Sequence, residues 1–339
     1  MSTTPTINRQ WRLAARPSGM IDDRTFRMTE EAVVEPGEGE ILVRNLVLSL
    51  DPTQRGWIAR DTYMPAVKLG DVMRSGAAGR VVETRSANVA EGDLVTGMFG
   101  WQDYAVVKAD GPVPVTKIPQ GVPLELAMST LGLTGITAYF GLLEVGKPKA
   151  GDTVVVSGAA GATGSVVGQI ARIHGCRTVG IAGGKDKCDW LLKEARFDAA
   201  IDYKHEDVAA RLRELCPKGI DVYFDNVGGD ILDAALANLA MRARVVICGA
   251  ISTYNDAELR PGPKNYMALL VKRARMEGFL VLDYMPRAME AVMQLLQWVQ
   301  SGELKDRVDV MRGFENAPKA LQRLFTGENV GKQLLRIAE

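Results

Sequence analysis

The chain carries no cysteine and no histidine before His174. Its 339 residues include only two histidines, His174 and His205, and four cysteines, Cys176, Cys188, Cys216 and Cys248. No two of these stand at the short C-x-x-C or H-x-x-x-H spacing of a metal site, so no bound metal is expected and the cysteines read as reduced, packed residues. Net charge is missing too, because 41 Lys and Arg balance 41 Asp and Glu. That removes the electrostatic case for nucleic acid or an anionic membrane as the main partner and leaves a small molecule. No apolar run approaches the ~20 residues of a membrane helix. Residues 1–11 are polar and lack the basic stretch and apolar core of a signal peptide, so a cytoplasmic location is the expectation.

What is present is ordinary globular composition, 47% hydrophobic and 24% charged, in a length that suggests two domains. The first third reads as β-rich. Short apolar stretches at 40–48, 79–83, 94–98 and 104–108 are separated by Gly, Pro and Asp turns, which suits a small barrel or sandwich. Pro112, Pro114, Pro119 and Pro123 then crowd one segment, and a domain boundary is expected there. From Asp152 the texture changes to strands alternating with helices. Strands are expected at 153–157, 177–182, 199–203, 220–227, 243–249, 275–282 and 331–337. Helices are expected at 163–174, 187–195, 206–216, 230–239, 287–301 and 316–325. The fold class is therefore α/β, with a doubly wound parallel sheet following the β-rich part.

Ser157–Gly164 places a glycine-rich turn between a buried strand and a helix start. Gly161 lets the backbone approach a pyrophosphate, and Gly164 lets the helix pack closely on the strand. The helix that follows directs free amides and its positive dipole end at the phosphates. Ala159 stands where the usual pattern has its first glycine. The tip of the second strand bears on which dinucleotide binds. An NAD site places Asp or Glu about 20 residues past the glycines to hold the ribose 2′-hydroxyl. Gly183 and Gly184 occupy that position here, followed by Lys185, Asp186 and Lys187. The missing acid carries most of the weight and favours a 2′-phosphate, hence NADPH. On the same reasoning, Gly183→Asp is a candidate switch towards NADH.

Several segments in chain order resemble the zinc-independent medium-chain dehydrogenase/reductase family, in its alkenal and prostaglandin reductase branch. They are Leu50–Trp57, Gly135–Tyr139, Ser157–Gly168, Ala182–Trp190, Phe224–Gly229, Cys248–Asn255, Lys272–Phe279 and Glu328–Lys332. The resemblance implies a β-rich GroES-like catalytic domain, residues 1–123 with 310–339, and a Rossmann NADPH-binding domain, residues 124–309. It also implies a homodimer joined through sheet edges and no catalytic zinc. Carried over by position, Lys187 and Tyr203 would contact the 2′-phosphate beside Gly183 and Gly184. Pro52, Thr137, Ala162 and Thr163 would join Gly161 and Gly164 around the cofactor. Asn226, Cys248, Gly249, Ile251 and Ser252 would hold its nicotinamide half, with Phe279 and Val281 alongside and Asn329 and Gly331 capping it. Gln54 and Tyr63 are substrate-pocket candidates, and Tyr254 matches a tyrosine facing the substrate carbonyl. Thr53 and Gln54 depart from the family pattern after Asp-Pro, and Ala78 replaces a bulkier pocket residue, so the substrate is less defined than the chemistry.

The implied reaction is reduction of the carbon–carbon double bond of an α,β-unsaturated ketone or aldehyde. Tyr254 and the nicotinamide ribose hydroxyl are the candidate donors to the enolate oxygen, and the α-carbon takes its proton from water or from Tyr254. A turn tyrosine packed on its own loop is the bland alternative for Tyr254, and a half-buried packing aromatic is the one for Tyr63. For the whole chain the alternatives are an NADPH:quinone oxidoreductase and an NADPH-binding protein without turnover. A zinc alcohol dehydrogenase is disfavoured by the absence of Cys and His from the first domain.

Overall fold

The computed structural model describes residues 6–111, 115–258 and 260–339. Pro112 and Pro114 of the proline cluster lie outside the described residues, as do residues 1–5 of the polar N-terminus. Strands β1 (Ile7–Leu13), β2 (Phe26–Ala32), β3 (Glu40–Ser49), β4 (Ala77–Thr84), β5 (Leu94–Gly97), β6 (Tyr104–Lys108) and β7 (Thr116–Lys117) come first. Strands β8 (Thr153–Ser157), β9 (Arg177–Ala182), β10 (Ala199–Asp202), β11 (Ile220–Asp225), β12 (Leu239–Ile247) and β13 (Arg275–Gly278) follow, then β14 (Val308–Arg312) and β15 (Lys332–Arg336). The chain forms two compact units, residues 1–128 with 309–328 and 333–339, and residues 129–308 with 329–332. The short helix Leu124–Met128, expected at the start of the second domain, groups with the first unit, where Glu125 pairs with Arg336.

The first unit is built on β3. It pairs antiparallel with β4, β6 and β15, in a sheet of order β14-β15-β3-β4-β5-β7. Nearly every residue of β3 is buried, which is why its sequence is apolar at both parities rather than alternating. Two register shifts bend β3 against β4. Gly79 is required there, because a Cβ would lie 2.5 Å from both the Arg44 carbonyl oxygen and Val43. The separate β1–β2 hairpin carried no clear alternation and had no counterpart among the expected strands.

The second unit holds a six-stranded parallel sheet in the order β10-β9-β8-β11-β12-β13, the doubly wound arrangement. Val155, Val179, Ile201 and Tyr223 on one face pack with Leu212, Leu232 and Leu236 of the helices Val208–Leu215 and Gly229–Leu236. The chain order reverses between β8 and β11, so the ligand crevice of such a sheet falls at the carboxyl ends of these two strands. Two expected strands depart furthest from the observed bounds, while those expected at 199–203, 220–227 and 331–337 differ by one or two residues. β12 begins at Leu239 rather than residue 243, its start disguised by exposed Met241 and by Arg242 in a left-handed turn. β13 ends at Gly278 rather than residue 282, because Phe279 turns away to pack edge-on against Phe224. No helix among the described residues is long and apolar enough to cross a membrane.

Candidate cofactor and substrate site

β8 delivers the chain to the glycine turn at the carboxyl edge of the sheet. Gly158 adopts φ +58°, so it performs the tight turn that Ala159 cannot. Ala159 is fully buried, and its amide donates to the Ile181 carbonyl. The missing first glycine is thus displaced by one residue, not lost. A Cβ on Gly164 would lie 2.4 Å from the Gly158 carbonyl oxygen, so only glycine lets the helix Ala162–Ile173 come this close. That helix begins at Gly161 with no side-chain cap, leaving first-turn amides at Ala162, Thr163 and Gly164 directed at the turn. A diphosphate fits such a cradle: close backbone, helix dipole, and no side chain competing for the amides.

The capping segment 329–332 docks on this turn. The Gly331 amide donates to the Ala160 carbonyl at 2.8 Å, Gly161 and Gly331 form a parallel bridge, and the Asn329 amide holds the Gly331 carbonyl at 2.9 Å. Gly331 has φ +79°, and a Cβ there would lie 2.1 Å from the Arg307 carbonyl.

A buried carboxylate organises the opposite side of the crevice. Asp225, at the end of β11, accepts the Ser157 hydroxyl at 2.7 Å, the Tyr223 hydroxyl at 3.0 Å and the amides of Val227 and Gly228. Burial pushes its carboxyl up, against the pull of those hydrogen bonds. Ser157 in turn accepts the Asn226 amide at 2.9 Å, while the Asn226 side chain donates to the Ser157 carbonyl at 2.7 Å. The loop that follows β12 hangs on the same turn. Cys248 and Gly249 donate to the Asp225 carbonyl, Ile251 to that of Asn226, and Ser252 to that of Val227. Asn226, Cys248, Gly249, Ile251 and Ser252 are therefore one hydrogen-bonded assembly at the switch point. Asp225 was quoted in the sequence motif but given no role there. The available signal was a carboxylate ending a strand buried on both faces, a position that demands partners.

Tyr254 closes this loop. Its phenol oxygen accepts the Ala250 amide at 3.2 Å and lies 3.1 Å from where a Gly249 Cβ would stand. The ring is half-buried and held against its own loop. The Cys248 thiol is pushed up to about 12, chiefly by burial and then by Asp225, so it stays protonated and offers no nucleophile. Phe279 packs over Gly141 and Phe224, with Val281 beginning the short helix Val281–Arg287 just beyond. The Thr137 hydroxyl is spent on the Leu133 carbonyl one helical turn back.

The tips of β9 and β10 form the far wing. The Tyr203 ring lies 2.8 Å from a Cβ built on Gly183, so tyrosine and glycine are in contact. Gly184 has φ +97° and starts the helix Lys185–Lys193. Lys187 lies half-buried in its first turn, whereas Lys185 is exposed and pairs with Asp189 at 2.7 Å. Sequence reasoning missed Asp202. Its carboxylate accepts the Gly184 amide at 2.7 Å, the Lys204 amide at 3.1 Å and the His205 ring at 2.7 Å. Burial works to raise its pKa, and these bonds bring the net shift below the usual carboxylate range. An acid is thus present at the wing, but both its oxygens are engaged.

In the first unit, Pro52 precedes the short helix Thr53–Trp57. Gln54 is fully buried, accepting the Asp51 amide and donating to the Ser49 and Arg74 carbonyls, so its amide braces a turn and is not presented to a ligand. Tyr63 is 44% exposed rather than half-buried, and its hydroxyl meets Thr53 at 2.9 Å and the Trp57 indole at 3.2 Å. No group of three His, Cys, Asp or Glu among the described residues could hold a metal ion.

Comparison with known proteins places this architecture. Residues 9–115 match the family described as "N-terminal domain of oxidoreductase", and residues 162–298 the one described as "Zinc-binding dehydrogenase". The chain is 42% identical over 337 residues to the NADPH-dependent curcumin reductase of Escherichia coli (strain K12), covering 98% of this chain and 97% of that one. It is 40% identical to the 2-alkenal reductase (NADP(+)-dependent) of Nicotiana tabacum, covering 92% and 91%. CurA from Vibrio vulnificus, solved in complex with NADPH, superposes with a TM-score of 0.92 at 40% identity, covering 98% and 99%. The chain belongs to the medium-chain dehydrogenase/reductase family, in its zinc-independent alkenal and prostaglandin reductase branch, with a GroES-like unit and a parallel-sheet NADP-binding unit. More particularly, it is an NADPH-dependent oxidoreductase.

Proposed function

We propose that the protein reduces the carbon–carbon double bond of α,β-unsaturated ketones and aldehydes. The observation that carries this reading is its identity of 40% or more, over nine-tenths of its length, to reductases named for curcumin and for 2-alkenals. The bound dinucleotide supplies a hydride. The protein's part is to hold it and to receive the charge that develops on the substrate carbonyl oxygen.

Ala162, Thr163 and Gly164 hold the diphosphate on the helix amides. Lys187 and Tyr203 take the 2′-phosphate beside Gly183 and Gly184, and Asn226 with Cys248–Ser252 orients the nicotinamide half. Phe279 and Val281 line its flank, and Asn329 and Gly331 cap it. Thr137 is assigned to the site with them, whereas Gln54 acts through the turn it braces. Tyr254 donates to the carbonyl oxygen. The Ala250 amide entering the phenol oxygen pins the ring and polarises its O–H, favouring donation. The catalytic domain is residues 1–128 with 309–328 and 333–339, and the NADPH-binding domain residues 129–308 with 329–332. Four free cysteines suit a reducing, cytoplasmic setting.

A screen of NADPH consumption at 340 nm over enones, enals, quinones and saturated aldehydes tests the reading. Enones and enals are expected to turn over fastest, and prolonged chelation is expected to leave the rate unchanged. Preference for quinones, turnover of saturated aldehydes restored only by zinc, or NADPH binding without oxidation would each replace it.

The same proposal includes a homodimer. β13 is the edge strand of the sheet, with all of Arg275–Gly278 exposed. Leu270, Val271, Met276 and Leu282 stand exposed around it, a combination that edge strands avoid unless they are covered. Sedimentation of the wild type is expected to give two copies, and Met276→Lys to shift the distribution towards one. A wild type that sediments as a single copy at micromolar concentration removes the dimer.

A further inference from the structure

The amino ends of the parallel strands, opposite the glycine turn, carry an unusual concentration of cations. A cavity of ≈ 330 Å³ is lined by Arg242, Ala243, Arg244, Arg273 and Arg275, with no carboxylate in its wall. Two of the four guanidiniums are fixed by nearby groups. Arg244 donates to the Gly146 carbonyl at 2.9 Å and pairs with Asp152, while Arg275 donates to the Val145 carbonyl and lies 3.6 Å from Glu277. Among the described residues the other two pair with no carboxylate: Arg273 reaches the Val271 carbonyl, at 3.2 Å, and Arg242 has no partner.

The backbone under these residues is as informative as their charge. Arg242 has φ +61° and Arg273 φ +50°, the left-handed region where glycine is at home and a side chain is strained. Lys147, φ +46°, belongs to the same region, since its carbonyl accepts from Arg244. At Lys147 and Arg273 a helix ends, and a cation there is favoured by the helix dipole. Arg242 lies inside β12 at the bulge where its register against β11 shifts, Ile220 facing Leu239 and Val222 facing Arg244, so the bulge sets its φ but does not require an arginine. Here the chain keeps a guanidinium at a position glycine would occupy more easily, and it keeps it beside three like charges. Both costs are offset if an anion is held there.

We propose that this cavity is an anion site separate from the cofactor cradle. It takes a ligand bearing a diphosphate group through Arg242 and Arg273, over Arg244 held by Asp152. The planar forks of the two free guanidiniums suit the paired oxygens of a phosphate.

The test uses the full-length enzyme saturated with NADPH, so that the cofactor's own phosphate positions are filled. Pyrophosphate and ADP are titrated calorimetrically at constant ionic strength, with sulfate as control. Saturable binding of pyrophosphate is expected, and ADP binding more tightly than pyrophosphate identifies a nucleotide as the source, equal binding a free polyphosphate. Arg242→Gly and Arg273→Gly suit their backbones, so folding is preserved and Tm without ligand is expected to be unchanged or higher. Each is expected to weaken pyrophosphate about tenfold or more, a loss typical of a charge-assisted contact, with turnover unaffected. No binding by the wild type at millimolar pyrophosphate overturns the site. So does equal competition by sulfate, or binding by the double glycine variant as tight as that of the wild type.

Discussion

Lys187→Ala is expected to weaken NADPH binding about tenfold to a hundredfold while leaving NADH binding nearly unchanged, since a charge-assisted contact is worth about 1.5–3 kcal/mol and only NADPH carries the 2′-phosphate. The resemblance assigns the phosphate to Lys187 rather than Lys185, and the two lysines have different surroundings in the structure. Lys185 is committed to Asp189, which also holds Lys193, whereas Lys187 lies half-buried one turn from Gly184. The neighbouring acid sharpens the argument. Asp202 accepts the Gly184 amide and also serves Lys204 and His205, so its carboxylate ties the wing's own backbone together. Dissociation constants for both cofactors, measured by quenching of protein fluorescence, decide the matter. Equal weakening of NADPH and NADH would show that the 2′-phosphate lies elsewhere. The structure also revises the reciprocal design. A side chain at Gly183 meets the Tyr203 ring at 2.8 Å, so Gly183→Asp is expected to displace Tyr203 and lose NADPH without gaining NADH.

Periodicity revealed the parallel sheet well because its strands are short apolar runs closed by glycine or charge. The strands expected at 153–157 and 177–182 have those bounds in the structure. It failed where local geometry overrides the pattern. The left-handed Arg242 interrupts the apolar pattern of β12, and β1 and β2 hide their pairing in polar sequence. The site was legible where backbone itself is the ligand, since glycines leave a trace. Gly158 shows the limit. Its role follows from a positive φ, which no spacing rule reports when the pattern's first glycine falls at Ala159. The partners of Asp225 and Asp202 were hidden for a different reason. Both are carboxylates whose partners are mostly main-chain amides or lie far away in sequence, so their roles exist only once the strands are side by side.

Tyr254→Phe is expected to lower turnover on enones about tenfold to a hundredfold, with NADPH affinity nearly unchanged. A donor aimed at charge that grows during reaction stabilises the transition state more than the ground state. Removing one such donor acting alone costs about 2.7–4 kcal/mol, and a second donor sharing the oxygen reduces that figure. The fold supplies a reason for the preorganisation. Tyr254 follows the Ile251–Thr253 turn, whose amides are tied to the Asn226 and Val227 carbonyls, and these descend from the Asp225 network. The Ala250 amide then fixes the phenol oxygen itself. The phenylalanine variant keeps the ring and loses only the hydroxyl, and with it the hydrogen bond from the Ala250 amide. NADPH affinity, measured alongside turnover, reports whether the loop has moved. Quinones, reduced without a localised enolate, are expected to be far less affected than enones, which separates loss of a donor from general damage. If Tyr254→Phe turns over every active enone at the wild-type rate, the tyrosine is a packing residue of its loop and the oxygen is stabilised by other groups.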